Sequence, residues 1–269
     1  MIEAPVSAQV ERIGPAEAKT LLGLNTHNRA IRQDRVHTMA RDMNHGKWQL
    51  NGETIKVGQG ALIDGQHRLL AVIEANTSIE MLVIRGLADD TQQTVDVGAK
   101  RNLGDFLSLA GEENSHNLAA AVRYSWYLDN FNTPKQFGVN PSVLELSAWL
   151  DKNPNIRHSI STGRRAATSV IRYVPSVGAS LHYLMGRLDH TQSTIFWDHL
   201  IDGDEKPGSP IYALREALLR DLSKPHRMSV VHRVALTVKA WNHVRDFKTV
   251  KAIGWRSDGP AAEPFPKMK

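Results

Sequence analysis

The sequence predicts an α+β protein, with a small mixed sheet in its N-terminal part and an all-α C-terminal part. Three observations predict this. Short apolar runs bounded by Gly occur through about the first 110 residues, where they alternate with helical patterns. From Ser115 onward strand signals thin out and amphipathic helical stretches take over. At 269 residues with 41% hydrophobic and 23% charged residues, the chain can bury one good core and a second.

Taken in order, Gly14-Pro15 opens a short helix carrying Leu21 and Leu22. Arg32 to His45 sets Val36, Met39, Ala40 and Met43 at helical spacing, with Asp34 near the start and Gly46 as the stop. Thr54–Val57 and Ala61–Ile63 flank Gly58-Gln59-Gly60 as a hairpin. A helix follows from Gln66 to about Asn76, then a strand over Ile79–Ile84, and Asn102 opens a further helix. Later helices are expected at 117–129, 141–151, 176–187, 193–201, 210–221 and 229–245. The expected organisation is therefore a first domain over 1–112, a helical domain over 113–258 and an extended Pro-containing tail over 259–269.

The chain contains no Cys, which excludes disulfides, thiolate catalysis and Cys-ligated zinc. Neither a Walker-type loop, a nucleophile elbow nor a His-Glu-x-x-His motif occurs. Without an apolar run long enough to span a bilayer, the expectation is a cytoplasmic protein with no membrane partner. The net charge of +5 is uneven: residues 1–110 hold 12 Lys/Arg against 13 Asp/Glu, and residues 111–269 hold 21 against 15. A basic C-terminal part suits either a polyanionic partner or a solvated helical surface.

The stretch with most chemistry is Leu62-Ile63-Asp64-Gly65-Gln66-His67-Arg68-Leu69-Leu70. A buried strand ends, Gly65 permits a tight turn, and a helix begins at once. The positive end of such a helix favours an anion, to which Arg68 can add bidentate hydrogen bonds. His67 can donate or shuttle a proton, and Asp64 can bind metal or act as a base. The pattern equally describes a plain capped helix, with Asp64 as N-cap and His67 and Arg68 in solvent. Cations in a first turn oppose the helix dipole, and an anionic ligand would resolve that conflict.

The Asp-Gly-Gln-His-Arg segment resembles the signature of DGQHR-type members of the ParB/sulfiredoxin superfamily, common in phages, mobile elements and DNA-modification loci. The resemblance spans about residues 10–110, including Asn28-Arg29-Ala30-Ile31-Arg32 and the later Asp96-Val97-Gly98-Ala99-Lys100-Arg101. It implies a ParB/sulfiredoxin-like nucleotide-binding domain, with ATP or another NTP and Mg²⁺ as cofactors. Gly65, Gln66, His67 and Arg68 would then line the phosphate site, with Arg29, Arg32 and Arg101 as further phosphate contacts. Asp64 and Asp96 would be metal ligands, and Asp64, His67 and Glu53 catalytic. Gln66 stands where sulfiredoxin has its catalytic Cys, so peroxiredoxin repair is excluded.

Between Lys152 and Leu188 no Asp or Glu occurs, while Arg157, Arg164, Arg165 and Arg172 accumulate. This points to contact with a nucleic-acid backbone, or else to an unliganded basic surface. Three functions follow. One is an enzyme, an Mg²⁺-dependent NTPase, nuclease or phosphotransferase in DNA processing or modification. Another is a non-catalytic, nucleotide-switched DNA-binding or regulatory protein, and the third is a small adaptor within a base-modification complex. DNA and nucleotide are the expected partners, with a homodimer or a DNA-modification complex as the assembly.

Overall fold

The computed structural model describes residues 5–25, 30–88, 91, 102–135 and 138–269. The chain is α+β, with a four-stranded mixed sheet in its N-terminal part and helices through the remainder. It divides into two compact units. One comprises Met1–Lys100 and Gly138–Leu144, the other Arg101–Phe137 and Glu145–Lys269.

In the first unit, β1 (Ser7–Ile13) precedes α1 (Pro15–Leu22) and α2 (Gln33–Asn44); β2 (Thr54–Gly58), β3 (Leu62–Asp64), α3 (Gln66–Ala75) and β4 (Ile79–Leu87) follow. The strand order is β1-β4-β2-β3. β2 pairs antiparallel with β3 across a turn closed by the Gly58 amide on the Ala61 carbonyl, 2.8 Å. It pairs in parallel with β4. Parallel pairing needs a crossover, and α3 supplies it. Ile55, Val57, Met81 and Val83 from the strands meet Val36, Ala40 and Met43 of α2 and Leu69 and Val72 of α3 in one core. The 3–4 spacing on α2 is the one read from sequence.

Asp34 does not cap α2. Its carboxylate accepts from Asn140 Nδ2 at 2.8 Å, while the Asn140 carbonyl accepts from Thr38 Oγ1 (2.8 Å) and Arg41 Nη2 (3.0 Å). Ser142 Oγ donates to Asp42 at 2.9 Å. The polar face of α2 is thus hydrogen-bonded by a segment about a hundred residues later. β1 was not expected from the sequence, although Val6, Ala8 and Val10 alternate with polar residues; that apolar face stays exposed, and only Ile13 of the seven strand residues is buried.

The second unit holds α4 (Leu103–Leu109), α5 (Ser115–Phe131), α6 (Val143–Lys152, whose first two residues belong to the first unit), α7 (Ser159–Thr168), α8 (Pro175–Leu188), α9 (His190–Asp202), α10 (Pro210–Leu222) and α11 (Val230–Arg245). A 3-10 turn over Pro154–His158 leads into α7. Trp197, Trp241, Tyr173 and Phe196 fill the core with edge-to-face pairs. The division into units falls at Lys100, earlier than the expected 112, and α4 belongs to the helical unit. There Gly104 lies so near the His116 ring on α5 that a Cβ would be 2.5 Å from Nδ1. The segment over 259–269 opens with a turn, the Ala262 amide on the Gly259 carbonyl at 3.1 Å, continues without helix or strand, and is tied to α11. Trp241 Nε1 donates to the Lys269 carbonyl at 2.7 Å, and Asn242 Nδ2 to that of Lys267 at 2.8 Å.

α7 was not expected, because its sequence is mostly polar and small. It packs through Ile160, Gly163 and Ala166. At its crossing with α8, a Cβ on Gly163 would overlap the Pro175 carbonyl, and Gly178 lies opposite. One turn away on each helix, Ser159 Oγ meets His182 Nδ1 at 2.8 Å, both residues buried. Burial, and secondarily His190, push the His182 imidazole down to about 4, with Asp198 opposing and Arg165 adding to the shift.

Two outcomes are expected. Gly163→Ala forces α7 and α8 apart and costs about 2–3 kcal/mol in denaturant unfolding. The unfolded chain takes up the His182 proton first as pH falls, because the ordinary value is 6.5. The contribution of neutral His182 is therefore complete above pH 6.5 and declines toward pH 4. This amounts to about 3 kcal/mol, and His182→Gln should flatten that part of a stability–pH curve.

Candidate anion site at the start of α3

The end of β3 turns into α3 at a single residue. Gly65 has φ 109° and ψ 2°, in the left-handed region, and a Cβ there would stand 2.5 Å from Ile55 Cδ1 and 3.3 Å from Ile55 Cα. Both the backbone and the packing against β2 require glycine. Gly65 is also the N-cap, so no side chain caps α3 and its first turn contains no acid. The reading in which Asp64 caps the helix is corrected: Asp64 Oδ1 instead accepts the Gly65 amide at 2.7 Å.

His67 and Arg68 do not point into solvent. Both are buried, at 6% and 7% exposure, as is Gln66 at 4%. The Arg68 guanidinium is held on three sides. Nη1 donates to Glu53 Oε2 at 2.8 Å, and Nη2 donates to the Thr54 carbonyl at 2.5 Å and to Asp64 Oδ2 at 3.0 Å. Arg68 Nε is buried without a hydrogen-bond partner. The guanidinium thus joins α3 to the start of β2 and the end of β3, and it resolves the dipole conflict through two carboxylates rather than through a ligand. His67 Nε2 accepts the Arg32 amide at 3.0 Å, which puts the ring proton of a neutral imidazole on Nδ1. Asn25 Nδ2 donates to Gln66 Oε1 at 3.2 Å.

Glu53, Asp64, Gly65, Gln66, His67 and Arg68 are therefore one neighbourhood, with the exposed Arg32 reaching it through its backbone. Arg29, Arg101 and Asp96 lie outside the described residues. The carboxylates here face cations. Asp64 Oδ2 has Arg68 at 3.0 Å and Lys56 at 3.8 Å, and Glu53 has Arg68. Among the described residues no three His, Asp or Glu side chains gather as a metal cradle. A carboxylate already flanked by two cations is a poor ligand for Mg²⁺, so these residues do not fit the ion in this arrangement.

Three of the six Lys and Arg side chains between Lys152 and Leu188 are paired with acids from elsewhere in the chain. Arg157 meets Glu112 at 2.9 Å, Arg165 meets Asp198 at 2.7 Å, and Arg187 meets Asp129 through two nitrogens. Arg164 bonds the neutral Asn114 at 3.0 Å, and Arg172 is exposed. A charge run in sequence is thus not a charge patch in space. Among the described residues no helix is long and apolar enough to cross a membrane.

Arg68→Met should cost about 3 kcal/mol, because Asp64 then stays half-enclosed without its main partner. Glu53→Gln should cost less than about 1 kcal/mol, since Glu53 is half exposed. Chemical denaturation of both variants checks the ranking. Compared with protein-family models, curated proteins and solved structures, the chain shows no match.

Proposed function

We propose that the N-terminal unit is a ParB/sulfiredoxin-like nucleotide-binding module working with DNA, and that the nucleotide phosphates lie at the start of α3. The observation that carries this reading is the Gly65 corner. A strand passes into a helix through one left-handed glycine, without a capping side chain and without an acid in the first turn. Such a corner offers a positive end to an anion. Arg68 enters as a positioning residue: it fixes Glu53 and Asp64, whose carboxylates offset its charge.

Of the two modes, nucleotide binding as a switch is the better supported. Asp64 and Glu53 each spend a carboxylate oxygen on Arg68, an arrangement that holds them in place rather than aiming them at a substrate proton. Catalysis is the second reading, and the exposure of Glu53, 51% for its side chain, favours it. Leaving Arg68 would free that carboxylate to activate a nucleophile for phosphoryl transfer. On the helical unit, Arg164 and Arg172 are the arginines best suited to a nucleic-acid backbone, since no carboxylate pairs with either among the described residues.

Titration of the full chain with each of the four NTPs, with and without Mg²⁺, is expected to show saturable binding of at least one. Gly65→Val should abolish it. Phosphate release, with and without DNA, is expected to stay at background. Release that disappears in Glu53→Gln would instead favour the enzyme, and absence of both nucleotide and DNA binding would defeat the proposal. DNA retention should weaken with added salt, and should fall further in Arg164→Ala/Arg172→Ala than in Arg157→Ala/Arg165→Ala.

A further inference from the structure

The second unit carries a cleft of about 340 Å³ whose lining includes His158, Ser159, His182, Tyr183, Arg187 and His190. We propose that this cleft binds a small oxyanion, the carboxylate or phosphate group of a small molecule, with His182 as its buried donor.

The argument starts with the helix crossing. Because Gly163 and Gly178 let α7 and α8 approach closely, Ser159 and His182 come together beneath the cleft. Ser159 is 3% exposed, and among the described residues its hydroxyl makes one bond, to His182 Nδ1. A buried hydroxyl has a single proton to place, and giving it to Nδ1 puts the ring proton on Nε2. That nitrogen has no hydrogen-bond partner among the described residues, and its residue lines the cleft at 8% exposure. The ring stays neutral at pH 7, because burial holds it down to about 4. A fixed neutral N–H facing a cleft asks for an acceptor.

The surroundings specify a negative one. Among the described residues no Asp or Glu lines the cleft, while His158, His190 and Arg187 stand at its rim. Arg187 is preorganised: Nη1 and Nη2 donate to Asp129 at 2.8 and 2.9 Å, and its guanidinium lies 6.0 Å from the Tyr183 ring centroid. Tyr183 is in turn pinned by its hydroxyl to Asn153 at 2.9 Å. The Asp129 pairing leaves Arg187 Nε–H for a ligand and tempers the local field, so weak, millimolar binding of a simple anion is expected. The concave shape and the pairing of the neighbouring arginines, Arg157 and Arg165, favour a small molecule over a nucleic-acid backbone.

The test uses the ¹⁵N-labelled full chain at neutral pH. Long-range ¹H–¹⁵N spectra should show His182 as the Nε2–H tautomer. Sodium phosphate or sodium acetate, raised into the tens of millimolar at constant ionic strength, should shift the His182 and His190 imidazole signals saturably. A response to phosphate assigns the phosphate source, and one to acetate the carboxylate source. His190→Ala and Arg187→Gln, each with a wild-type backbone spectrum, should weaken the response about tenfold. An Nδ1–H tautomer at His182, no saturable shift with either anion, or shifts unaltered in both variants would overturn the proposal.

Discussion

Arg68 is the constraint on which the N-terminal unit turns. A guanidinium cannot be neutralised in a protein, so burying it at the positive end of a helix obliges the chain to bring acceptors to it. It obtains them from the strands that flank the helix: Glu53 and the Thr54 carbonyl at the start of β2, and Asp64 at the end of β3. The sheet edge, the glycine corner and the helix origin are thereby held in one geometry. Gly65 and Arg68 act together, one removing a side chain so that β2 can approach, the other tying the approaching strand down.

Much of this fold was legible in the sequence. The helices over α2, α3, α5, α6 and α8 to α11 follow from apolar spacing, and the hairpin from Gly58-Gln59-Gly60 between two apolar runs. The failures share a cause. β1 and α7 bury few large apolar groups, so neither stands out as part of a core; one is held by backbone pairing with β4, the other by close approach through glycine. The candidate site was legible in its residue types and not in their partners. Local sequence marks a strand, a glycine and a helix, but it does not say that Arg68 will turn back onto a glutamate fifteen positions earlier.

The same distinction governs the basic helical unit. Reading charge along the chain compares each residue with its sequence neighbours, whereas electrostatics compares it with neighbours in space. The acids that answer Arg157, Arg165 and Arg187 come from positions 112, 198 and 129, outside the acid-free stretch that drew notice. Ser159 and His182 show the reverse case. Two ordinary residues, 23 positions apart, acquire a shared environment only because two glycines let their helices touch.

The hydrogen bonds from Asn140 and Ser142 to α2 bear on how the protein comes into being. During synthesis the polar flank of α2 emerges long before the seven-residue segment that satisfies it, and every residue of α4 and α5 must be made in between. The N-terminal unit cannot reach its final bonding while the ribosome is still short of residue 144. Its maturation is coupled to that of the helices threaded through its own sequence, a long-range closure that slows folding.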